Sequence, residues 1–480
     1  MNRSRRVKIL ATLGPASNTY SKILALAQAG ADTFRINMSH ASHDLMRETV
    51  KSIRAAEREL KFPIGILCDL QGPKHRLGVF ENGEVDVAPG HIITLDSDPT
   101  PGNAERVHLP HPEILEAMEK GHRLLVNDGK VQLQVIDCGD GWAKTKVLSG
   151  TALADKKGVN LPDSELTDGV LTDKDRADLE ACLKEEIDWI ALSFIQRPED
   201  LAEPRRICGN KVGLLSKIEK PQAVQRLDEI IELSDAIMVA RGDLGVEMPL
   251  ELVPSIQKKM IRKCRLAGRP VVVATQMLES MISSPVPTRA EVSDVANAVY
   301  EGADAIMLSA ESAAGDYPFE AVSTMNSIAE AIEKDKGYLN TIASQRPPAE
   351  ATGADAISFA AAEIADTLDL AAIVCFTASG STGLRAARTR PAKPILALSP
   401  VPETARRLAL TWGTKCVITP DADNLEDMVD KACRNAFREK VARPGERIII
   451  SAGVPLATPG STNMLRIAFI GSDGQGSRHN

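Results

Sequence analysis

The amino-acid sequence predicts an α/β protein: a (β/α)8 barrel with an inserted small β-barrel lid domain and a C-terminal α/β domain. Three observations predict this fold. Short apolar runs rich in β-branched residues alternate with amphipathic helical stretches over the first 345 residues. One interruption replaces the helices with alternating polar and apolar residues, which is typical of antiparallel strands. A proline-rich stretch, SQRPPAEATG, then precedes a second alternating series.

The barrel prediction depends on eight short runs with the length and composition of buried strands. They are RVKILATLG (6–14), TFRINMS (33–39), PIGILCDL (63–70), WIALSFI (189–195), VGLLSKI (212–218), AIMVARGDL (236–244), PVVVATQM (270–277) and AIMLSAE (305–311). Between most of these runs lie segments whose apolar residues recur with the period of a helix, at 43–60, 174–186, 221–233, 249–267 and 319–334. Eight parallel strands alternating with helices predict a closed barrel rather than an open sheet.

The interruption falls between residues 70 and 189, where EVDVA, HIITL, VQLQVID and WAKTKVL alternate without helices. It begins where the third barrel strand ends, on the face that carries active sites in barrel enzymes, so we interpret it as a lid. After the proline-rich link, five further apolar runs alternate with helices. The expected segments are 1–71 and 156–345 for the barrel, 72–155 for the lid and 346–480 for the C-terminal domain.

Composition narrows the possible functions. A net charge of -8 and only 3% aromatic residues argue against nucleic-acid binding, which needs positive charge and stacking platforms. No apolar run approaches the roughly 20 residues of a membrane span, and MNRSRRVKIL lacks the apolar core of a signal peptide. The eight cysteines are scattered, without a CxxC pair that would indicate zinc or a redox dithiol. We therefore expect a cytoplasmic protein with no membrane or nucleic-acid partner.

Residues capable of chemistry cluster at the carboxyl ends of the predicted barrel strands. They are Arg35, Asn37, Ser39, His40, Asp69, Lys217, Glu219, Arg241, Asp243, Thr275, Gln276, Ser309 and Glu311. One polar strand end is common in any barrel, but this face is where barrel enzymes hold their catalytic groups. Taken together, these residues predict an active site at this end of the barrel.

Lys217 and Glu219 stand two residues apart on one strand, so their side chains share a face. A buried structural ion pair is one explanation. The other is catalysis, because an ammonium group beside carboxylates can neutralise the charge that develops during phosphoryl transfer, and we favour it. Glu219 and Asp243, on adjacent strands, are suited to share one magnesium ion, which proteins bind through one or two carboxylates.

Eight motifs resemble those of the pyruvate kinase family. They are ATLGPAS (11–17), FRINMSH (34–40), KKGVNLP (156–162), SKIE (216–219), MVARGDLG (238–245), ATQMLESM (274–281), PTRAEVSDVANAV (287–299) and GDYP (315–318), in the family's order and approximate spacing. The resemblance covers nearly the whole chain. It implies a barrel, a lid and a regulatory C-terminal domain. It also implies a glycolytic enzyme that transfers the phosphoryl group of phosphoenolpyruvate to ADP, giving pyruvate and ATP.

The resemblance further implies roles for individual residues. Magnesium or manganese would bind Glu219 and Asp243, and the phosphoryl group would contact Lys217 and Arg35. The amides of Gly242 and Asp243, with the Thr275 hydroxyl, would bind the substrate carboxylate. Thr275 or Ser309 would deliver a proton through water. The nucleotide would contact Asn37, His40, Arg76 and Lys157. Family members are usually homotetramers, and PTRAEVSDVANAV resembles a helix near their subunit contacts.

The stretch LCDLQGPKHRLG (67–78) departs from the usual family pattern DTKGPEIRTG, because Lys74 stands where glutamate is usual. In the family a potassium ion binds among oxygens at the positions of Asn37, Ser39, Asp69 and the Leu70 main-chain carbonyl. An ammonium group nearby would repel that ion by roughly 4 kcal/mol at about 4 Å and a surface-like dielectric. We hypothesise that Lys74 acts as an internal monovalent cation and that potassium is not required. The alternative is a solvated hinge residue that faces the lid.

FTASGSTG (376–383) lies between a predicted strand and a predicted helix, and its hydroxyls and helix N-terminal amides suit phosphate. An ordinary helix-capping turn is the alternative. By resemblance, a sugar-phosphate or AMP effector would bind at Thr377, Ser379, Gly380, Ser381 and Thr382.

Two other functions stay open from the sequence. One is a magnesium-dependent pyruvate-enolate lyase or aldolase, which Arg76 and Lys157 disfavour because a lyase has no nucleotide to hold. The other is a catalytically silent, effector-binding relative, which the presence of every catalytic position disfavours.

Overall fold

The computed structural model describes residues 3–166, 169–455 and 462–477. Its first elements alternate strand and helix. They are β1 (Lys8–Leu13), α1 (Tyr20–Ala29), β2 (Thr33–Asn37), α2 (His43–Leu60) and β3 (Gly65–Asp69). α2 begins after Ser42, whose hydroxyl accepts a hydrogen bond from the Leu45 amide, and it buries Met46, Val50 and Ile53 on one face. Every residue of β1 and β3 is buried, as expected for strands covered on both faces.

An all-β insertion follows β3. Its elements are β4 (Glu84–Asp86), β5 (Ile92–Asp96), β6 (Arg106–His108), α3 (Pro112–Ala117), β7 (Arg123–Val126), β8 (Val131–Gly139), β9 (Trp142–Ser149), β10 (Ala152–Ala154) and β11 (Val159–Asn160). Six strands form one curled sheet in the order β11-β7-β8-β9-β5-β6, and β10 pairs with β4. Alternating residues of β8, such as Leu133 and Val135, point into a hydrophobic core that belongs to the insertion alone.

The chain then returns to the barrel. The elements are α4 (Asp173–Cys182), β12 (Trp189–Leu192), α5 (Ala202–Cys208), β13 (Gly213–Ile218), α6 (Pro221–Gln225), α7 (Leu227–Leu233), β14 (Ala236–Ala240), α8 (Arg241–Glu247), α9 (Val253–Ala267), β15 (Val271–Ala274), α10 (Arg289–Tyr300), β16 (Ala305–Leu308), α11 (Ala310–Ala313), α12 (Pro318–Glu333) and α13 (Lys336–Ser344). The eight parallel strands close in the order β1-β16-β15-β14-β13-β12-β3-β2. The predicted barrel is confirmed.

The C-terminal part is an α/β domain, which confirms that prediction too. Its elements are α14 (Gly353–Thr367), β17 (Ala372–Phe376), α15 (Ser381–Arg388), β18 (Ile395–Ser399), α16 (Pro402–Arg407), β19 (Thr414–Ile418), α17 (Leu425–Arg438), β20 (Arg447–Gly453), β21 (Thr462–Ile470) and β22 (Gly476–Ser477). The sheet order is β19-β18-β17-β20-β21-β22. Among the described helices of the whole chain, none has both the length and the apolar character needed to cross a membrane.

Buried polar contacts join the C-terminal domain to the amino-terminal ends of the barrel strands. Asp304, just before β16, accepts two hydrogen bonds from the Arg390 guanidinium at 2.9 and 3.0 Å and one from the Trp412 amide at 3.1 Å. The Arg390 guanidinium also lies 4.7 Å from the centre of the Trp412 ring. Lys8, at the start of β1, donates to the Thr414 carbonyl at 2.8 Å. The barrel end opposite the predicted active site is therefore closed by this domain.

Replacing Arg390 with Met is expected to lower the free energy of unfolding by about 3–5 kcal/mol, because the buried Asp304 carboxylate loses its bidentate partner. Arg434→Met is the matched control, since Arg434 is 56% exposed and lies 3.7 Å from Asp430. Such a surface pair contributes at most about 1 kcal/mol. Urea unfolding followed by circular dichroism measures both losses, and equal losses would contradict the assignment of the Arg390–Asp304 pair as a main support of this junction.

Candidate active site

Four charged side chains from the ends of β2, β3 and β13 meet at the carboxyl end of the barrel. Arg35 Nε donates to Asp69 Oδ2 at 2.7 Å. Lys217 Nζ lies 2.8 Å from Glu219 Oε1 and 3.5 Å from Asp69 Oδ1. β2 and β3 pair so that Asn37 lies opposite Asp69, which places Arg35 on the same side of the barrel. The predicted clustering of Arg35, Asp69, Lys217 and Glu219 is therefore present in the structure.

The charged side chains of this group shift one another's pKa values. Burial opposes the charge of Lys217, but the carboxylates of Asp69 and Glu219 more than offset burial, so the pKa of this ammonium lies above its ordinary value. Burial likewise opposes the charge of Asp69, yet Lys217 and Arg35 hold its pKa below the ordinary value. Lys217 is consequently a fixed cation at neutral pH, a state that suits charge neutralisation and does not suit proton donation.

Glu219 and Asp243 are the two carboxylates predicted to hold magnesium. Glu219 Oε2 accepts the Phe194 amide at 2.8 Å, and the buried Oε1 forms an ion pair with Lys217 Nζ at 2.8 Å. Burial raises the pKa of Glu219 to about 7; Lys217 opposes that rise and Asp243 adds to it. Asp243 is exposed at the start of α8, with no hydrogen bond or ion pair to any described residue. A shared divalent ion that keeps several waters fits these two carboxylates.

Thr275 lies beside the first turn of α8. Its Oγ1 accepts the Gly242 amide at 2.8 Å, and its hydroxyl donates to the Ala274 carbonyl at 2.6 Å. Thr275 and Gln276 both have left-handed backbone conformations, with φ of 70° and 54°. Such conformations are strained for a β-branched residue and concentrate at functional sites. Two of the groups predicted to bind the substrate carboxylate, the Gly242 amide and the Thr275 hydroxyl, are therefore in direct contact in this structure.

A cavity at this end of the barrel, which we call the mouth cavity, has a volume of about 580 Å³. Its lining includes Arg35, Asn37, His40 and Ser309, together with apolar residues from the segment after β1 and from the start of α2. Ser309 also donates its amide to Glu311 Oε2 at 2.7 Å. This volume lies within the range of small-molecule binding sites.

Arg76 and Lys157, on the insertion side, do not line the mouth cavity. Arg76 Nη1 donates to the Lys156 carbonyl at 2.8 Å, and the Lys157 carbonyl accepts the Leu77 amide at 2.9 Å. In this structure the insertion therefore stands apart from the other predicted nucleotide-binding residues.

The predicted monovalent-cation oxygens have partners of their own. Asn37 Oδ1 accepts the amide of Ser39, which is exposed, at 3.0 Å, and the Leu70 carbonyl accepts the Ser193 hydroxyl at 2.9 Å. Lys74 is exposed and lines a separate cavity of about 50 Å³, together with Asp243. It makes no hydrogen bond or ion pair with the described residues. Lys74 and Asn37 thus line different cavities.

Comparison with known proteins identifies the family. Residues 4–322 match the family model "Pyruvate kinase, barrel domain", and residues 355–468 match "Pyruvate kinase, alpha/beta domain". The chain belongs to the pyruvate kinase family. It is 57% identical over 470 residues to the pyruvate kinase of Methylorubrum extorquens, covering 98% of each chain. It is 47% identical over 469 residues to a pyruvate kinase of Agrobacterium vitis, covering 98% of this chain and 99% of the relative.

A solved pyruvate kinase structure from Cryptosporidium parvum has the same fold. The TM-score is 0.92 at 34% identity, and the match covers 97% of this chain and 96% of that chain. The barrel, the insertion and the C-terminal domain are thus all matched within one pyruvate kinase chain.

Sequence reasoning missed Ser193, which follows β12. Its hydroxyl accepts from Lys217 Nζ at 2.8 Å and donates to the Leu70 carbonyl, so it joins the charged group to β3. The signal was present, because Ser193 is the only polar residue of the apolar run WIALSFI (189–195).

A second missed group connects the insertion to α8. Glu247 Oε1 lies 2.7 Å from Lys220 Nζ and accepts Asn160 Nδ2 at 2.8 Å. Lys220 follows the magnesium candidate Glu219, and Asn160 ends β11 of the insertion. The base of the insertion is thereby attached to the helix that carries Asp243.

The predicted effector loop lies between β17 and α15 of the C-terminal domain. Gly380, with φ of 91°, donates its amide to the Thr377 hydroxyl at 2.9 Å. The Ser379 hydroxyl lies 3.2 Å from the Ser381 hydroxyl, and the Thr382 hydroxyl lies 2.9 Å from that of Thr462. Ser379 is exposed, whereas Thr377 and Thr382 are buried. The Thr377 and Thr382 hydroxyls of this loop therefore already form hydrogen bonds within the protein.

Proposed function

We propose that this protein is a magnesium-dependent pyruvate kinase that transfers the phosphoryl group of phosphoenolpyruvate to ADP, giving pyruvate and ATP. The observation that carries the proposal is the group formed by Lys217, Asp69, Arg35 and Glu219. The two cations lie 2.7 to 3.5 Å from the buried carboxylates of Asp69 and Glu219. Phosphoryl transfer is catalysed mainly by such positioned charges.

In this mechanism Lys217 and Arg35 bind the transferring phosphoryl group, and Lys217 neutralises the charge that develops on it. Glu219 and Asp243 hold magnesium or manganese, which supplies additional neutralisation of phosphate and enolate oxygens when bound. The amides of Gly242 and Asp243 with the Thr275 hydroxyl orient the substrate carboxylate. The remaining step is protonation of the enolate, for which the candidates are water held by Thr275 or Ser309.

ADP occupies the mouth cavity in this proposal, where Asn37 and His40 contact it. The insertion acts as a lid whose closure brings Arg76 and Lys157 to the nucleotide and excludes water. We also propose a cytoplasmic homotetramer, in which a sugar phosphate or AMP binds at Thr377, Ser379, Gly380, Ser381 and Thr382. The support for this part is the family resemblance of those segments.

The experiment that tests the activity measures pyruvate formation from phosphoenolpyruvate and ADP with magnesium, in the presence and absence of sugar phosphates and AMP. We expect product in the presence of all three reaction components and none when ADP is omitted. Pyruvate without ADP, or no pyruvate under any condition, would reject the kinase assignment.

Potassium independence is a separate proposal, in which Lys74 supplies the monovalent charge. Its support is the lysine in place of the usual glutamate. Among the described residues no carboxylate forms an ion pair with Lys74, and Asp243 lines the same cavity. We expect the wild type to be equally active in potassium and in tetramethylammonium chloride.

Lys74→Glu is expected to lower the rate in tetramethylammonium by about 10- to 100-fold, because an interaction of about 1.4–2.7 kcal/mol with the transferring anion is lost. Potassium should restore the rate. Lys51→Glu, on the exposed face of α2, is the matched control and should change neither rate. A wild type that needs potassium would rule out the internal cation.

A further inference from the structure

Four arginines surround a small cavity between the barrel and the C-terminal domain, which we call the joint cavity. Its volume is about 10 Å³, and its lining includes Arg265, Arg269, Arg388, Arg390, Asp304 and Thr411. Arg265 comes from α9 of the barrel, whereas Arg388 ends α15 of the C-terminal domain. The space holds about one water-sized particle.

Three polar atoms of this lining have no hydrogen-bond partner. They are Nε of Arg265, Nε of Arg390 and Oγ1 of Thr411, and all three are buried. The three residues are only 5%, 4% and 2% exposed. Buried donors are almost always paired in folded proteins, and an unpaired one costs about 1–3 kcal/mol. Three such atoms around one cavity indicate a bound particle that accepts hydrogen bonds.

The charges of the lining indicate what that particle is. Arg390 is matched by Asp304 at 2.9 Å, and Arg388 is matched by Asp355 at 2.8 Å. Arg265 instead donates to the side chain and carbonyl of Gln345 at 2.7 and 3.3 Å, and it forms no ion pair with the described residues. Burial, together with the nearby charge of Arg390, lowers the pKa of Arg265 to about 10. The fourth arginine, Arg269, is partly exposed and lies 4.0 Å from Asp235. The buried positive charge of Arg265 is therefore left without an ion-pair partner among the described residues.

The position of Arg265 is defined by its surroundings. A Cβ atom on Gly302 would lie 2.9 Å from Arg265 Nη1, so this guanidinium packs directly against the turn at Gly302. Arg390 also donates to the Gly302 carbonyl at 3.0 Å, which brings the two arginines to the same turn. Contacts with Gln345 and with the turn at Gly302 thus hold this guanidinium beside Arg390.

We propose that the joint cavity binds one chloride ion, held by the Nε–H groups of Arg265 and Arg390 and by the Thr411 hydroxyl. A monoatomic anion satisfies the three unpaired groups and the excess charge together, and phosphate or a carboxylate is too large for the space. Because its ligands come from both sides of the junction, the ion fastens the C-terminal domain to the barrel. The proposal does not depend on the proposed catalytic activity.

Bromide, which replaces chloride and scatters anomalously, locates the site directly. Crystals of the full-length wild type grown in sodium bromide are expected to show an anomalous peak in the joint cavity. Arg265→Met should remove this peak, whereas Arg262→Met, an exposed arginine on the same helix, should retain it. Electron density in the cavity without anomalous signal would identify water and overturn the proposal.

Thermal unfolding tests the fastening role in solution. At constant ionic strength, replacing sodium glutamate with sodium chloride is expected to raise the unfolding temperature of the wild type and of Arg262→Met. Arg265→Met should lose that rise. If Arg265→Met does not fold, the bromide result on the wild type decides the proposal alone. A wild type equally stable in both salts would contradict fastening by chloride.

Discussion

Lys217→Met is expected to reduce kcat for pyruvate formation by about 10²–10³-fold, the usual loss when one positioned stabilising group is removed from a reacting charge. Methionine keeps most of the length of the side chain but removes the cation that lies 2.8 Å from Glu219 and 3.5 Å from Asp69. Arg35 remains paired with Asp69, so phosphoenolpyruvate should still bind. The effect should therefore appear in kcat more than in KM.

Steady-state kinetics with saturating ADP and magnesium measures this effect. Lys51→Met, an exposed lysine on α2, is the matched control and should leave both parameters unchanged. Lys217→Arg keeps the positive charge but changes the position of the donor atoms. It should recover only part of the rate, because the guanidinium cannot reproduce the contact with Ser193. If Lys217→Met keeps more than about a tenth of the wild-type kcat, the proposed role of Lys217 is wrong.

Glu219→Gln is expected to raise the magnesium concentration for half-maximal activity by more than about 100-fold. Loss of a residue that merely supports a metal ligand weakens binding by about 10–100-fold, so loss of a charged ligand should exceed that range. Glutamine can still accept the Phe194 amide, so local structure should be kept while the negative charge facing the ion is removed. Manganese binding followed by electron paramagnetic resonance reports the same loss without relying on activity.

Glu48→Gln is the control for this measurement, since Glu48 is exposed on α2 and far along the chain from the predicted metal ligands. It should bind manganese as the wild type does. An unchanged affinity in Glu219→Gln would place the metal elsewhere, whatever happens to the rate.

The sequence was sufficient for the barrel because its strands are buried on both faces and therefore stand out as apolar runs. The insertion was less predictable. β6, β7, β10 and β11 are only two to four residues long, too short for an alternating pattern, and none was identified from the sequence. The helix predicted at 249–267 begins at Val253, where Pro254 occupies the first turn.

The sequence predicted those residues of the candidate site that lie at the ends of barrel strands. Arg35, Asp69 and Lys217 each lie within the last three residues of a strand, and closure of the barrel brings them together. The link from Asn160 to Glu247 joins residues 87 positions apart, and it arises from how the insertion sits on the barrel. The sequence likewise could not show that Arg265 lacks an ion-pair partner, because this depends on which residues surround it in the folded protein.

β16 has a mechanical consequence for the molecule. Its lower end follows Asp304, which the C-terminal domain holds through Arg390 and Trp412, and its upper end precedes Ser309 at the mouth cavity. Four residues at about 3.3 Å each make a rod of roughly 13 Å, and pairing with β1 and β15 on either side braces it against buckling. β16 therefore connects the residue held by the C-terminal domain, Asp304, to Ser309 at the mouth cavity through a single braced strand.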